Sequence, residues 1–203
     1  MLWMMKTNSE IENIVNDVLT KYQKRGGSYK LFDDIMLEEG IVFKEINSSN
    51  NNFVGALTKG NSGEKSYIFI NRNIDNAGRR HFTIAHELGH YFLSHQLKDN
   101  SIFCSNTDIA EEGSQFDPIE REANYFASCF LMPEEKVKSA FLIILENRSR
   151  NKIKDFLLVK NDYTFGVWLL IRDELTQRYG VSEAALRYRL QYLKLARFEF
   201  KIQ

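Results

Sequence analysis

The chain predicts an α+β fold, a small three-stranded antiparallel sheet packed on a helical core and followed by a helical C-terminal segment of helix-turn-helix type. Three observations lead there: amphipathic helical spacing opens the chain, three β-like runs separated by turn-rich segments follow, and helical apolar stripes then run towards the end. Two parts are expected, a domain over residues 1–135 and a helical segment over 136–203 that packs on it or is appended to it.

Ser9 to Lys24 reads as a helix, with Ser9 as N-cap, Glu12 closing a capping box, and Ile11, Ile14, Val15, Val18, Leu19 and Tyr22 along one face. A short helix from Ser28 to about Glu39 ends at Gly40. Ile41–Ile46, Phe53–Leu57 and Ser66–Asn71 are the β-like runs, and the NSSNNN and KGNSGEK segments between them favour a meander. A helix begins after the breaker-rich DNAGRR, with Phe82, Ala85, Gly89 and Phe92 at packing spacing. Gly89 costs that helix about 1 kcal/mol relative to Ala, so a second element is expected to approach the backbone there. The next helix has Asp117 as N-cap, Pro118 at its first position and Glu120 reaching back to the cap; Ile119, Ala123, Phe126, Ala127, Phe130 and Leu131 form its stripe, and Met132-Pro133 ends it. Phe165–Tyr179 is a further helix with Trp168, Ile171 and Leu175 on one face. Gly180 stops it, Ser182 caps its successor, and Leu186, Leu190 and Leu193 line that last helix.

Basic and acidic residues balance at 27 each, which excludes an overall field that would draw nucleic acid or an anionic membrane. Locally, residues 98–122 are acidic and residues 172–203 basic. Arg187, Arg189, Lys194 and Arg197 could meet phosphates, but the local excess is small for a DNA binder acting alone; direct nucleic-acid binding is open and not favoured, and a helical hairpin completing the core or docking a partner is the preferred reading. The opening MLWMMK is too short for a secretory apolar region and no run spans a bilayer, so a cytoplasmic protein is expected. Cys104 and Cys129 make no disulfide framework. Cys129 reads as a core residue, and Cys104 as a free thiol in a loop, with a metal-blocking thiol as the minor alternative.

All four histidines fall between His81 and His95, and His86-Glu87-Leu88-Gly89-His90 is an H-E-x-x-H motif. Residues four apart share a helix face, so His86 and His90 can converge on one metal ion. Glu87 lies roughly 100° further round, aside from the ligand position and suited to act as general base on an activated water. A catalytic zinc needs a third protein ligand, and with no histidine beyond His95 a carboxylate is expected. Glu122 is the leading candidate because it flanks the apolar stripe of its helix. Glu120, already given to the cap, comes second, and Asp117 or an acidic loop residue follows. His95 points about 140° from His90 on an ideal helix and reads as a supporting residue. His95, Tyr91 and Tyr125 are nominees for stabilising an oxyanion.

At these residues the chain resembles the ImmA/IrrE family of metallo-endopeptidases. The similarity lies in Phe82-Thr83-Ile84-Ala85-His86-Glu87-Leu88-Gly89-His90 and in Glu122-Ala123-Asn124-Tyr125-Phe126-Ala127, closing with Leu131-Met132-Pro133. The resemblance implies a zincin-like helical core and one zinc ion on His86, His90 and Glu122, with Glu87 as general base. It also implies a protein substrate, a helix-turn-helix transcriptional repressor encoded nearby, whose cleavage releases genes of a mobile element or a stress response. The competing reading is a non-catalytic regulatory protein that holds a partner or DNA through its C-terminal helices and keeps a structural zinc. Two points favour the enzyme: Glu87 is present, and no fourth ligand is evident in the sequence.

Overall fold

In a computed structural model of the protein, residues 5–22, 28–50, 52–61, 64–96, 100–105, 117–150 and 152–199 are described. The opening MLWM and the acidic residues 106–116 lie outside them. The chain divides into two compact units, Met1–Phe130 and Leu131–Gln203.

The first unit begins with α1 (Asn8–Tyr22), which buries Ile11, Val15, Val18, Leu19 and Tyr22. Its cap is Thr7, two residues before Ser9. The Thr7 N–H donates to Glu10 Oε2 (2.7 Å) and the Glu10 N–H to Thr7 Oγ1 (3.3 Å), a reciprocal box that leaves Glu12 to accept from the Tyr125 hydroxyl. α2 (Ser28–Glu38) leads through Gly40, at φ +67°, into the sheet.

The sheet is four-stranded and mixed, which corrects the expected three-stranded meander. β1 (Ile41–Ile46), β2 (Phe53–Thr58), β3 (Ser66–Asn71) and β4 (Ser101–Ser105) lie in the order β1-β3-β2-β4. β1 pairs parallel with β3, while β2 pairs antiparallel with both β3 and β4. The turn-rich segments mark where strands end but not which strand the chain returns to. β2 is buried from Val54 to Leu57, whereas β1 alternates towards solvent, so β1 takes an edge and β2 the interior. β4 arises in the acidic stretch read as loop, and it carries Cys104.

α3 (Ala77–Phe92) starts inside DNAGRR, because the Asn76 side chain accepts from the Arg79 N–H (2.9 Å). Every residue from Phe82 to His90 is buried, so the helix has no solvent face along its motif. It packs on β2 and β3, and Gly89 faces α4 (Pro118–Leu131). A Cβ at Gly89 would meet the Cα and the carbonyl oxygen of Ala123, each at 3.1 Å, which is the close approach its glycine foretells. α3 ends in a Schellman turn: Ser94 takes the left-handed conformation (φ +57°), its N–H donates to the Tyr91 carbonyl, and the His95 N–H donates to the His90 carbonyl.

The second unit holds α5 (Glu134–Arg148), β5 (Leu157–Val159), α6 (Asp162–Tyr179), α7 (Glu183–Tyr192) and β6 (Ala196–Phe198). The segment is not purely helical, since β5 and β6 form a parallel two-stranded sheet. α6 starts before Phe165, at an Asn161–Thr164 capping box, and ends at Gly180 (φ +61°); Ser182 caps α7. Trp168 packs edge-on against Phe198 and donates to Glu183. Arg189 is 1% exposed and donates from Nε to the Met132 carbonyl (3.0 Å), so it serves the core and not a phosphate. Among the described residues no helix is long and apolar enough to cross a membrane.

Candidate metal centre

Two helical repeats and one strand bring four donor side chains together. His86 and His90, one turn apart on α3, hold their Nε2 atoms 2.9 Å from each other. Glu120, in the first turn of α4, brings Oε2 to 3.0 Å from His86 Nε2 and 3.4 Å from His90 Nε2. Cys104 of β4 brings Sγ to 3.2 Å, 3.8 Å and 4.0 Å from His86 Nε2, His90 Nε2 and Glu120 Oε2. All four residues are buried and their donor atoms lie within 4.8 Å of one another. Two imidazole nitrogens, a carboxylate oxygen and a thiol facing one another make a donor set that could hold a metal ion.

The structure brings Glu120, the second candidate, to the histidine pair and places Glu122, the leading one, against His95. Glu120 does not close the cap. Asp117 takes part in that task, its Oδ1 accepting from the Ile119 N–H (3.1 Å), and Glu120 turns towards His86 and His90. Two residues further along a helix is about 200° of rotation, so Glu122 leaves on another side. Its Oε2 lies 3.1 Å from His95 Nε2, and its Oε1 accepts from the backbone N–H of Lys6 (2.7 Å).

Each histidine of the pair is held from behind. His86 Nδ1 lies 2.9 Å from Asn124 Oδ1, so the Nδ1–H tautomer donates to the amide oxygen and turns Nε2 to the cluster. Asn124 is one turn beyond Glu120, so one face of α4 supplies both a donor and the group that orients another donor. His90 Nδ1 lies 2.7 Å from His95 Nδ1, and the Glu122–His95–His90 chain fixes the second ring. The Schellman turn folds His95 back beneath His90, which an ideal helix would not do.

Burial and charge set the ionisation. Burial lowers His90 to about 4, leaving its ring neutral and able to bind metal. Burial also opposes ionisation of Glu120, but hydrogen bonds from His86 and His90 and their charges outweigh it and hold the carboxyl at about 2. For His86, burial is overridden by Glu120, and its pKa rises. Glu87, fully buried, is pushed up to about 7 mainly by loss of solvent. Neither of its carboxylate oxygens has a hydrogen-bond partner among the described residues. Gly55 of β2 makes room for it, since a Cβ there would stand 2.6 Å from Glu87 Oε1.

Of the oxyanion nominees, Tyr91 donates to Glu39 (3.2 Å), Tyr125 donates to Glu12, and His95 uses both ring nitrogens on His90 and Glu122. Sequence reasoning misses Asn124 and gives Cys104 a metal-blocking role only as the minor alternative to a free loop thiol. The four-residue interval from Glu120 to Asn124, matching that of the histidine pair, is a signal for Asn124. Nothing local marks Cys104, which reaches the cluster through strand pairing.

A comparison with curated proteins finds no match. The family model of the M78 peptidases, described as the IrrE N-terminal-like domain, matches residues 39–191. That span covers well over half of the chain and includes the sheet, both donor-bearing helices and the Cys104 strand. The chain therefore belongs to the M78 metallopeptidase family, that of the IrrE N-terminal-like domain.

Proposed function

We propose that the protein is a zinc-dependent endopeptidase in which His86, His90 and Glu120 hold one zinc ion and Glu87 is the general base. The observation that carries this reading is the meeting of both Nε2 atoms with the Glu120 carboxylate within 3.4 Å, beside the buried, unpartnered carboxylate of Glu87. When bound, the ion supplies Lewis acidity, which activates water and polarises the scissile carbonyl. Glu87 takes a proton from the attacking water and delivers it to the leaving amine. Asn124 and the His95–Glu122 pair keep the two imidazoles in the tautomer that offers Nε2. Glu87 is fully buried against Gly55 of β2, which keeps bulk water from it.

The substrate in this proposal is a helix-turn-helix repressor, cut to release genes of a mobile element or a stress response in the cytoplasm. Support comes from the resemblance of the two helix motifs and from the family membership, which implies a protein substrate. The test is incubation of the zinc-loaded protein with the repressor encoded beside its own gene, read by mass spectrometry. Discrete fragments are expected with the natural sequence and none with Glu87→Gln, which should keep its metal. Cleavage by Glu87→Gln at the natural rate would remove Glu87 from its role.

One observation favours the regulatory reading, in which the chain binds a partner and the zinc is structural: Cys104 offers a fourth donor. A site closed by four protein ligands has no position for water. Under that reading neither protein cuts any repressor, and metal removal abolishes partner binding.

A further inference from the structure

We propose that Cys104 is a fourth ligand to the metal, whose thiolate closes the resting site and is displaced when the protein substrate binds. The inference rests on the metal-site reading above and adds to it a residue that a catalytic site does not need.

Three observations support it. Cys104 Sγ is closer to His86 Nε2 (3.2 Å) than to any other donor of the cluster, and it stands within 4.0 Å of the remaining two. The thiol is the one fully buried side chain of β4, where Phe103 beside it is 72% exposed, so the strand turns this residue alone into the cluster. The strand pairing aims it there: Phe53 faces Ser105 and Gly55 faces Cys104, so a bulge at this point on β2 adds a residue and resets the register. The cluster itself points to a ligand at this place, since Cys104 joins His86, His90 and Glu120 as a fourth buried donor, beside Glu87 packed against Gly55, the residue opposite Cys104.

Charge favours the fourth bond. A divalent ion with two neutral imidazoles and one carboxylate keeps a positive charge in a buried place. Adding a thiolate neutralises it, and a coordinating thiol gives up its proton to do so. On loading, the S–H bond breaks, the S–metal bond forms, and the proton leaves to solvent. The four donors are not equally fixed. Three project from helices, whereas Cys104 projects from an edge strand bonded to β2 alone. Withdrawing β4 therefore removes one ligand and leaves three, which is the ligand count of a catalytic zinc.

The test uses the full-length protein loaded with cobalt(II) in place of zinc, as the natural sequence and as Cys104→Ser, Cys104→Ala and Cys129→Ser. Expected is a thiolate-to-cobalt charge-transfer band in the natural protein and in Cys129→Ser, lost in both Cys104 variants while one equivalent of cobalt stays bound. Acetohydroxamate, which needs an open position, should alter the visible cobalt spectrum of the Cys104 variants and leave that of the natural protein unchanged. Bound cobalt without the charge-transfer band in the natural protein, or an equal response of all four proteins to acetohydroxamate, would overturn the inference and leave the three-ligand peptidase standing. Absence of cobalt binding in every protein would instead overturn the metal-site reading, and the inference with it.

Discussion

Gly55 and Glu87 make the tightest fit around the site, and the fit assigns a purpose to a glycine in the middle of a buried strand. A Cβ at position 55 would press on Glu87 Oε1 at 2.6 Å and on Thr83 Cγ2 at 2.9 Å. Gly55→Ala is therefore expected to cost about 1–3 kcal/mol of stability through overpacking, read as a fall in Tm, and to depress peptidase activity more than metal content. Unchanged Tm and activity would show that Glu87 has another place to go. At this scale the sequence was legible where contacts are local. His86 and His90 declare themselves by spacing, because four residues on a helix is one turn. Between Glu120 and Glu122 the sequence favours Glu122, because the cap offers Glu120 an alternative use. The structure gives that use to Asp117.

Helix α3 lies between β2 and α4, and its two sides are set by the absence of side chains: Gly55 opposite Glu87 and Gly89 opposite Ala123. Gly89→Ala would force α3 and α4 apart by a few tenths of an ångström, since the obstructing atoms are the backbone of Ala123 at 3.1 Å. The expected result is a loss of about 1–3 kcal/mol in thermal unfolding, offset only slightly by the better helix propensity of alanine. Weaker zinc binding should accompany it, because Glu120 and Asn124 ride on α4. A stabilised variant with natural zinc affinity would contradict the close packing. The helices themselves were legible from apolar spacing, and Gly89 signalled its neighbour. Their starts were less so: Thr7 and Asn76 cap α1 and α3 through hydrogen bonds that a different nearby residue could equally have made.

Over the whole molecule, the α+β class follows from the sequence but the strand order does not. β1 reaches β3 by passing the place of β2, and β4 joins from beyond α3, so neither pairing has a local signature. For the same reason nothing local raises Cys104 above a minor alternative as a donor. The metal, in this account, ties α3, α4 and β4 into one structure, so chelation should lower the Tm of the first unit. Restoring zinc to a thousandfold excess over its dissociation constant should return about 4 kcal/mol. A Tm indifferent to chelation, in protein known to have held zinc, would mean that the donors are assembled without its help. The central claim is the identity of the ligands, and it is tested most directly by the zinc content of the purified protein beside Glu120→Ala and Glu122→Ala, measured by elemental analysis without chelators. The account predicts about one equivalent in the natural protein, a marked loss in Glu120→Ala, and retention with about 10- to 100-fold weaker affinity in Glu122→Ala, whose effect passes through His95. Full zinc in Glu120→Ala together with its loss in Glu122→Ala would contradict it.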